Sequence, residues 1–587
     1  MNQVPVNVPD NRLTDGDDRF LGVDQRTDPA RVAPGYGCDA TNKRFRDGKA
    51  EDRPSVRILP IGPDNYGKLP FDRPQGACVF QDPDGFQWFI IAAGGKVYRA
   101  GTHLTATEIP LPSGVVLDGE VEFTQAFNKL LLWRQGSAPL ELEDLSLGFF
   151  AVTDATSESG NGTGTLTIPN ATRGEFMQNR VLAVLDDSIY VSDALNYTRY
   201  SLTQQFRIND GSDDRLLAVR AFGTDAAIAF KTKSIHLLGN LNPDRNGDWS
   251  FATRERITNQ HGLVGANAIT QAGADLFYFS TAGLTSVRLT EENKVKAVEV
   301  PLSYPMKALW SRINWSAAWR AQLTYDDSYL YWAVPVDDSP VPNAIAIYDF
   351  VNKAWAGTDE GDTFAFGVLR WLPAFYNGER RLFWLDYQGL VRFYEPGTWL
   401  DEYQGDFLLA EDGSRLLSEF GLPLLSEDLT IQRRDFDSEF LSRGLSSGVD
   451  GRKRFLNGRL TMSTLNPSFS VDAVVEGVAE ETALVTNQTR SRVQSNLFGV
   501  PDWDPTNVND DAASAHRQDY SIVLPNGGMY CGSGVLLSRM QASEFPLRPP
   551  GKGRYVQIRF SKNQGNATLH SLTLTSALAD RNAGYRS

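Results

Sequence analysis

Apolar and polar positions alternate in short runs along most of this chain, and nearly every run ends at a turn signal. Phe86-Gln87-Trp88-Phe89-Ile90-Ile91-Ala92-Ala93 meets Gly94-Gly95 and continues as Lys96-Val97-Tyr98-Arg99-Ala100. Aromatic and β-branched residues on both sides of a Gly-Gly pair predict a β-hairpin. The unit recurs. Residues 121–127 turn at Asn128-Lys129 into 130–133, and residues 180–185 turn at Asp186-Asp187 into 188–192. Further runs occupy 216–222, 226–230 and 234–238, then 268–270, 275–280 and 284–287. Residues 329–334 and 344–349 follow with a closing Trp355, and 381–385 turns at Gly389 into 390–394.

These are about seven strand-rich units of roughly 40–50 residues each, the size of one four-stranded propeller blade. A single blade cannot cover both of its faces. Blades set around an axis bury one another. The rival all-β arrangement is two or three stacked sandwiches; recurrence without intervening linkers favours the propeller. Beyond about residue 428 the spacing changes. Residues 454–462 read as strand and turn, 469–475 alternate almost cleanly, and 555–560 and 567–574 are further strands. The expected fold is therefore all-β: a β-propeller with an additional C-terminal β-sandwich-like domain, which could complete the last blade on its way. The expected divisions are an extended N-terminal arm over 1–40, the propeller over 41–400, a partner-binding or packing excursion over 401–435, and the sandwich-like domain over 436–587. The excursion carries a small echo, Ser414-Arg415-Leu416-Leu417-Ser418-Glu419 and Leu422-Pro423-Leu424-Leu425-Ser426-Glu427. Residues 157–164 read as a flexible loop by composition.

Length and charge narrow the function. At 587 residues the chain exceeds one core, and 41% hydrophobic residues suffice to fill several. Lys and Arg number 57 against 72 Asp and Glu, a formal charge of −15. Such a balance suits a poor general binder of nucleic acid, because phosphate attachment depends on cations. Cys38, Cys78 and Cys531 are odd in number and widely spaced, which argues against a disulfide framework and a zinc site and suits assembly in a reducing cytoplasm. No apolar run approaches the ~18–20 residues that span a bilayer, so no stable membrane insertion is expected.

Candidate chemistry is sparse. His103, His236, His261, His516 and His570 are scattered, without an H-E-x-x-H pair. Gly444-Leu445-Ser446-Ser447-Gly448 spells G-x-S-x-G, but its flanks read as loop where a nucleophile elbow needs a buried strand and a helix. Asp244, Asn246, Asp248 and Glu255 approach the spacing of a calcium loop, with Trp249 where the sharp turn requires glycine; a turn without metal is favoured. The same residues, 242–249, approach the turn box of sialidase-like propellers, itself a structural feature. Arg452-Lys453-Arg454 with Arg459 is the densest basic cluster and reads as a solvated turn, with contact to an acidic neighbouring subunit as the alternative. No catalytic, cofactor-binding or metal residue is assigned, no cofactor is expected, and the chain is expected not to be an enzyme.

One stretch carries more. Phe20-Leu21-Gly22-Val23-Asp24-Gln25-Arg26-Thr27-Asp28-Pro29 leads through Pro34-Gly35-Tyr36 to Asn42-Lys43-Arg44-Phe45-Arg46-Asp47-Gly48 and Arg53-Pro54. It resembles the opening of tail nozzle, or tail-hub, proteins of short-tailed bacteriophages. The resemblance implies a structural virion protein in the tail, assembled in the host bacterial cytoplasm. It implies a ring, usually a homohexamer, around the DNA ejection channel. Portal and adaptor rings and tail fibre proteins would be its partners, and genomic DNA would pass through the lumen without specific binding. An acidic lumen would then repel DNA, which carries one charge per ~1.7 Å of duplex. The family carries no catalytic residues to transfer. The alternatives are a propeller glycosidase or depolymerase acting on host surface glycan, or a receptor-binding module.

Overall fold

The computed structural model describes residues 12–26, 28–64, 66–152, 165–166, 168–208, 211–241, 252–290, 300–361, 364–404, 431–449, 451–476, 482–485, 497–498, 535–536, 542–549 and 552–578. The alternating runs form antiparallel strands joined by tight turns. Six separate sheets of three to five strands follow one another around an axis. Their leading strands are Pro74–Gln81, Glu122–Ala126, Arg173–Met177, Leu216–Phe222, Ile269–Ala272 and Val368–Tyr376. The Gly94-Gly95 hairpin forms where the sequence places it. Both glycines hold positive φ, 58° and 79°, which lets two residues reverse the chain between Ala93 and Lys96.

The strands Gln322–Asp326, Tyr329–Val334, Ala344–Asp349 and Ala354–Asp359 stand in the same ring, between the sheets led by Ile269–Ala272 and Val368–Tyr376. Their outer edge runs on into a sixteen-stranded sheet, so this unit belongs both to the propeller and to the added domain. The apolar cores lie between neighbouring sheets. Phe89 of the first sheet meets Phe383 of the last edge to face, with ring centres 5.3 Å apart. Phe230 and Tyr278 join two sheets further round at 5.4 Å. Each fully buried side chain of this size contributes about 1.5–3 kcal/mol, and the blades separately could not collect it.

The last sheet is completed from the N-terminal side. Ser55–Leu59 pairs antiparallel with Val391–Glu395, Val56 opposite Tyr394. Among the described residues the C-terminal region, expected to complete the last blade, contributes no strand to this sheet. It builds the added sheet around two strands of 23 residues, Lys453–Val475 and Val556–Leu578, paired along nearly their whole length. Asn457-Gly458, read from sequence as a turn, lies inside the first of these. A Cβ on Gly458 would sit 2.5 Å from the Thr573 carbonyl oxygen, so the glycine serves close strand approach, not reversal. Gly565, with φ 74°, sits at an irregularity inside the second.

Residues of the expected arm are ordered against this sheet. Arg12–Asp17 pairs with Val556–Leu578, and Arg443 holds it through Asp17 at 2.9 Å and Asp15 at 2.6 Å. Leu400–Gln404 and Ile431–Asp435 pair antiparallel at the base of the 401–435 excursion. The echo at 414–427 and the loop at 157–164 lie outside the described residues.

Candidate functional site at the propeller–sheet junction

The segment 20–54 bridges the propeller and the added sheet. Gly22–Val23 pairs parallel with Tyr36–Gly37, and Val23 pairs with Trp355 of the shared unit. Asp39–Thr41 then lies between Ala354–Asp359 on one side and Ser438–Leu441 on the other. Lys43–Arg46 and Lys49–Asp52 form a hairpin whose Asp47-Gly48 turn has φ 50° and 74°, as that dipeptide requires. Phe20 and Phe45 anchor the segment on the Phe440 ring at 5.1 and 6.1 Å.

Asn42, Lys43, Arg44, Asp52 and Arg53 of this segment are buried and engaged with polar partners. The Asn42 side chain donates to the backbone oxygens of Glu360 at 2.8 Å and Asp437 at 2.6 Å, and accepts from Arg53 Nε at 2.8 Å. Arg44 forks onto Asp359 at 2.8 and 2.6 Å, and Tyr394 donates to the same carboxylate at 2.7 Å. Arg53 forks onto Asp401 at 2.9 and 2.5 Å, with its guanidinium 3.9 Å from the Phe436 ring centre. Burial works against the charge on both arginines, yet their carboxylate partners raise both above the ordinary arginine value. Asp52 lies between two buried lysines, Lys43 at 2.6 Å and Lys562 at 3.3 Å. Burial raises its carboxyl, but the two ammonium groups outweigh that and hold it at about 2.

This arrangement ties four distant parts of the chain together: the hairpin 43–52, the shared unit at Asp359, the excursion base at Asp401 and the added sheet at Lys562. Fixed charge pairs in a dry interior set geometry more than net stability, because desolvation offsets much of the attraction. A cavity of about 580 Å³ opens beside the junction, lined by Asn42, Glu360, Asp437, Glu439, Phe469 and Lys562 among others.

The other sequence candidates fall apart in space. Ser447 and Gly448 sit in a left-handed loop with φ 52° and 64°, and the Ser447 amide donates to Asp15 at 2.7 Å. The loop is a tie for the N-terminal strand, without the helix a nucleophile elbow requires. Ser234 Oγ lies 2.5 Å from Asp214 and 2.9 Å from His236 Nε2. The serine stands between carboxylate and imidazole, whereas nucleophile activation needs the imidazole between the other two. Burial pulls His236 below the usual histidine range. His570 bonds Ser463 at 2.6 Å, His103 stacks on Tyr376 at 5.0 Å, and His261 is half-buried. His516 and Cys531 lie outside the described residues, as do Asp244, Asn246 and Asp248; Glu255 is exposed on the strand Thr253–Thr258. Burial pushes the Cys38 thiol up to about 12. Among the described residues no group of three or more His, Cys, Asp or Glu could hold a metal ion, and no helix is long and apolar enough to cross a membrane.

The basic cluster is not a solvated turn throughout. Arg452 and Arg454 are exposed, but Lys453 opens the long strand with its side chain buried, donating to the Gly451 and Arg554 carbonyls at 3.0 Å each. Alternation along the strand turns it inward between its neighbours.

Sequence reasoning missed a second polar cluster, at the propeller axis. Glu122 accepts from Arg370 at 2.7 Å and Arg173 at 3.5 Å, joining the leading strands of the second, last and third sheets. Arg220 reaches Glu175 at 3.3 Å. A signal was available for two of them: Arg220 and Arg370 are lone charges inside otherwise apolar runs, as Arg370 is in Val368-Leu369-Arg370-Trp371-Leu372.

No protein-family model and no curated protein matches the chain. Among solved structures it is similar to BamB from Moraxella catarrhalis, at 11% identity and a TM-score of 0.32, covering 60% of this chain and 95% of that one. It is also similar to a streptogramin B lyase, at 12% identity and a TM-score of 0.34, covering 58% of this chain and 97% of the other. A third is YCF48 bound to D1 peptide, at 9% identity and a TM-score of 0.34, covering 58% and 99%. These likenesses concern the fold alone.

Proposed function

We propose that this protein is a structural part of a bacteriophage tail: a nozzle or hub subunit that assembles, as a homohexamer, into a ring around the DNA ejection channel. It performs no reaction. It docks to portal and adaptor proteins on one side and to fibre proteins on another, and it is put together in the host cytoplasm. The observation that carries this reading is the junction. Asn42, Arg44 and Arg53, three of the polar residues through which the segment resembles tail proteins, are spent on tying the segment to the shared unit, the added sheet and the excursion base. A part that must transmit force between neighbours needs its two domains held in fixed relation, and buried forked ion pairs supply orientation as well as attachment. A conduit formed between copies, not within one, is supported by the axial ion pairs, because Arg370, Glu122 and Arg173 occupy the propeller's own centre.

Electron microscopy of the purified full chain, with mass measured in solution, tests the proposal. Closed rings with an open lumen are expected, and labelled antibody should mark the tail of intact particles. A protein that stays monomeric at high concentration and cleaves host surface glycan would overturn it in favour of a depolymerase.

A further inference from the structure

We propose that the propeller axis holds a binding site for a small oxyanion, a carboxylate or phosphate group, gripped by Arg173 and Arg220. A cavity of about 380 Å³ lies between the leading strands of the second, third and fourth sheets, and these two arginines line it together with Glu122, Glu175, Thr124 and Gln125. Its volume admits a small acid or a phosphate with its water and excludes a nucleic-acid duplex, whose grooves alone are ~6–12 Å wide.

The charges around the cavity are unequally satisfied. Glu122 gives its short bond, 2.7 Å, to Arg370 and only a 3.5 Å contact to Arg173. The other contacts of Arg173 are the Ala266 carbonyl at 3.2 Å and Asn267 Oδ1 at 3.4 Å, so none has the 2.7–2.9 Å length of a strong charge-assisted bond. Its side chain is only 15% exposed, which leaves water little access to make up the difference. Arg220 also lacks a short carboxylate bond: it donates to Glu175 at 3.3 Å and to the Val219 carbonyl at 3.1 Å, and Glu175 also accepts from the Ala221 amide at 3.3 Å. Burial first, and then the like charges of Arg220 and Arg370, pull Arg173 below the ordinary arginine value despite Glu122. Two guanidinium forks with long bonds, beside a polar cavity, are donors prepared for an acceptor with several oxygens. Such an anion would relieve the repulsion between the arginines and restore short bonds to both. Glu175 acts within the site as an internal competitor for Arg220.

Titration calorimetry on the full chain tests this, with inorganic phosphate and malonate as separate probes and chloride at matched ionic strength as the control. Heat readout separates binding from the general stabilisation that excluded salts give without saturating. Saturable binding of phosphate, malonate or both is expected, and the preferred probe identifies the ligand's chemistry. Arg173→Gln and Arg220→Gln should each weaken it about tenfold or more, the loss of one charge-assisted contact. Glu175→Gln, which keeps the side chain's shape, should tighten it several-fold by freeing Arg220. Absence of saturable heat with both probes would overturn the proposal. So would binding that Arg173→Gln leaves unchanged, or a Glu175→Gln protein that folds and binds no more tightly.

Discussion

Arg53 and Asp401, 348 positions apart in the chain, face each other in a forked ion pair whose two bonds measure 2.9 and 2.5 Å. Arg53 is 0% exposed and Asp401 3%. The pair sets the base of the 401–435 excursion against Ser55–Leu59, where Asp401 also accepts from the Val56 amide at 2.8 Å. Replacing Arg53 by Met leaves a buried carboxylate without its counter-charge, which costs about 3–5 kcal/mol. Arg53→Lys keeps the charge but loses the fork, and its cost should be smaller. The double variant Arg53→Met with Asp401→Leu should be more stable than the Arg53→Met single variant, since no charge is left unpaired. Urea unfolding followed by tryptophan fluorescence checks these three alongside the Asp401→Leu single variant. A double variant as unstable as the sum of its singles would show that the residues do not act as a pair.

Asp52 makes the junction sensitive to acid. Its folded-state carboxyl stands at about 2, below the ordinary 3.8, because Lys43 and Lys562 outweigh its burial. A carboxyl lowered on folding contributes stability that is present above the unfolded value and lost as pH falls toward the folded one. The difference corresponds to about 2 kcal/mol, lost between about pH 4 and pH 2. Asp52→Asn leaves two buried ammonium groups facing a neutral amide and should be destabilised at pH 7 by about 3–5 kcal/mol. Thermal unfolding across pH should show the gap between wild type and Asp52→Asn narrowing from pH 4 to pH 2. A gap constant over that range would mean that the carboxylate's charge is not what matters.

How much was legible follows from the range over which each feature is encoded. The hairpins at 87–101, 180–193 and 275–286 were readable because strand alternation and turn chemistry are local. The all-β class and the recurrence of blade-sized units came with them. Ser55–Leu59 was not assigned as a strand from sequence: it is five residues long, and the partner that makes it one begins at Val391. The two 23-residue strands look like fragments in the sequence, because Gly458 and Gly565 interrupt the apolar pattern until a neighbour pairs across them. At the junction the chain signalled the importance of Arg44 and Arg53 through a resemblance, but not their role. Nothing near either residue announces Asp359 or Asp401. Arg220 and Arg370 are visible as isolated charges in apolar runs, yet only closure of the ring brings Arg370 to Glu122.

Gly357 marks the seam where the propeller unit meets residues 39–41. It holds φ 96°, and a Cβ there would lie 2.0 Å from the Ala40 carbonyl oxygen. Both the backbone conformation and the space exclude a side chain. Gly357→Ala must therefore push the two strands apart at the point where Thr358 pairs with Thr41. The expected loss is about 2 kcal/mol or more. Hydrogen exchange should locate it, with amides of 39–41 and 354–359 losing protection while those of the first sheet, 74–109, keep theirs. Uniform loss across both regions would show instead that the seam and the distant blades unfold as one unit.

Removal of residues 1–59 tests whether the N-terminal segment closes the ring. Without Ser55–Leu59 the last sheet presents Val391–Glu395 as an unpaired edge, and without Arg12–Asp17 the long strand Val556–Leu578 loses a partner near its end. The same deletion removes Arg44, Arg53 and Asp52, leaving Asp359, Asp401 and Lys562 buried without counter-charges. Open edges of this length template association with other chains. The truncated protein should therefore aggregate, or be recovered only with exposed apolar surface that binds a hydrophobic dye. Adding a separately made 1–62 peptide should restore part of the fold, because Val56 and Ile58, both buried, drive the strand back onto the last sheet. Light scattering and dye binding, with and without the peptide, decide the matter. A truncated protein that stays monomeric, binds no dye and unfolds at the wild-type temperature would show that the ring closes without its first strand.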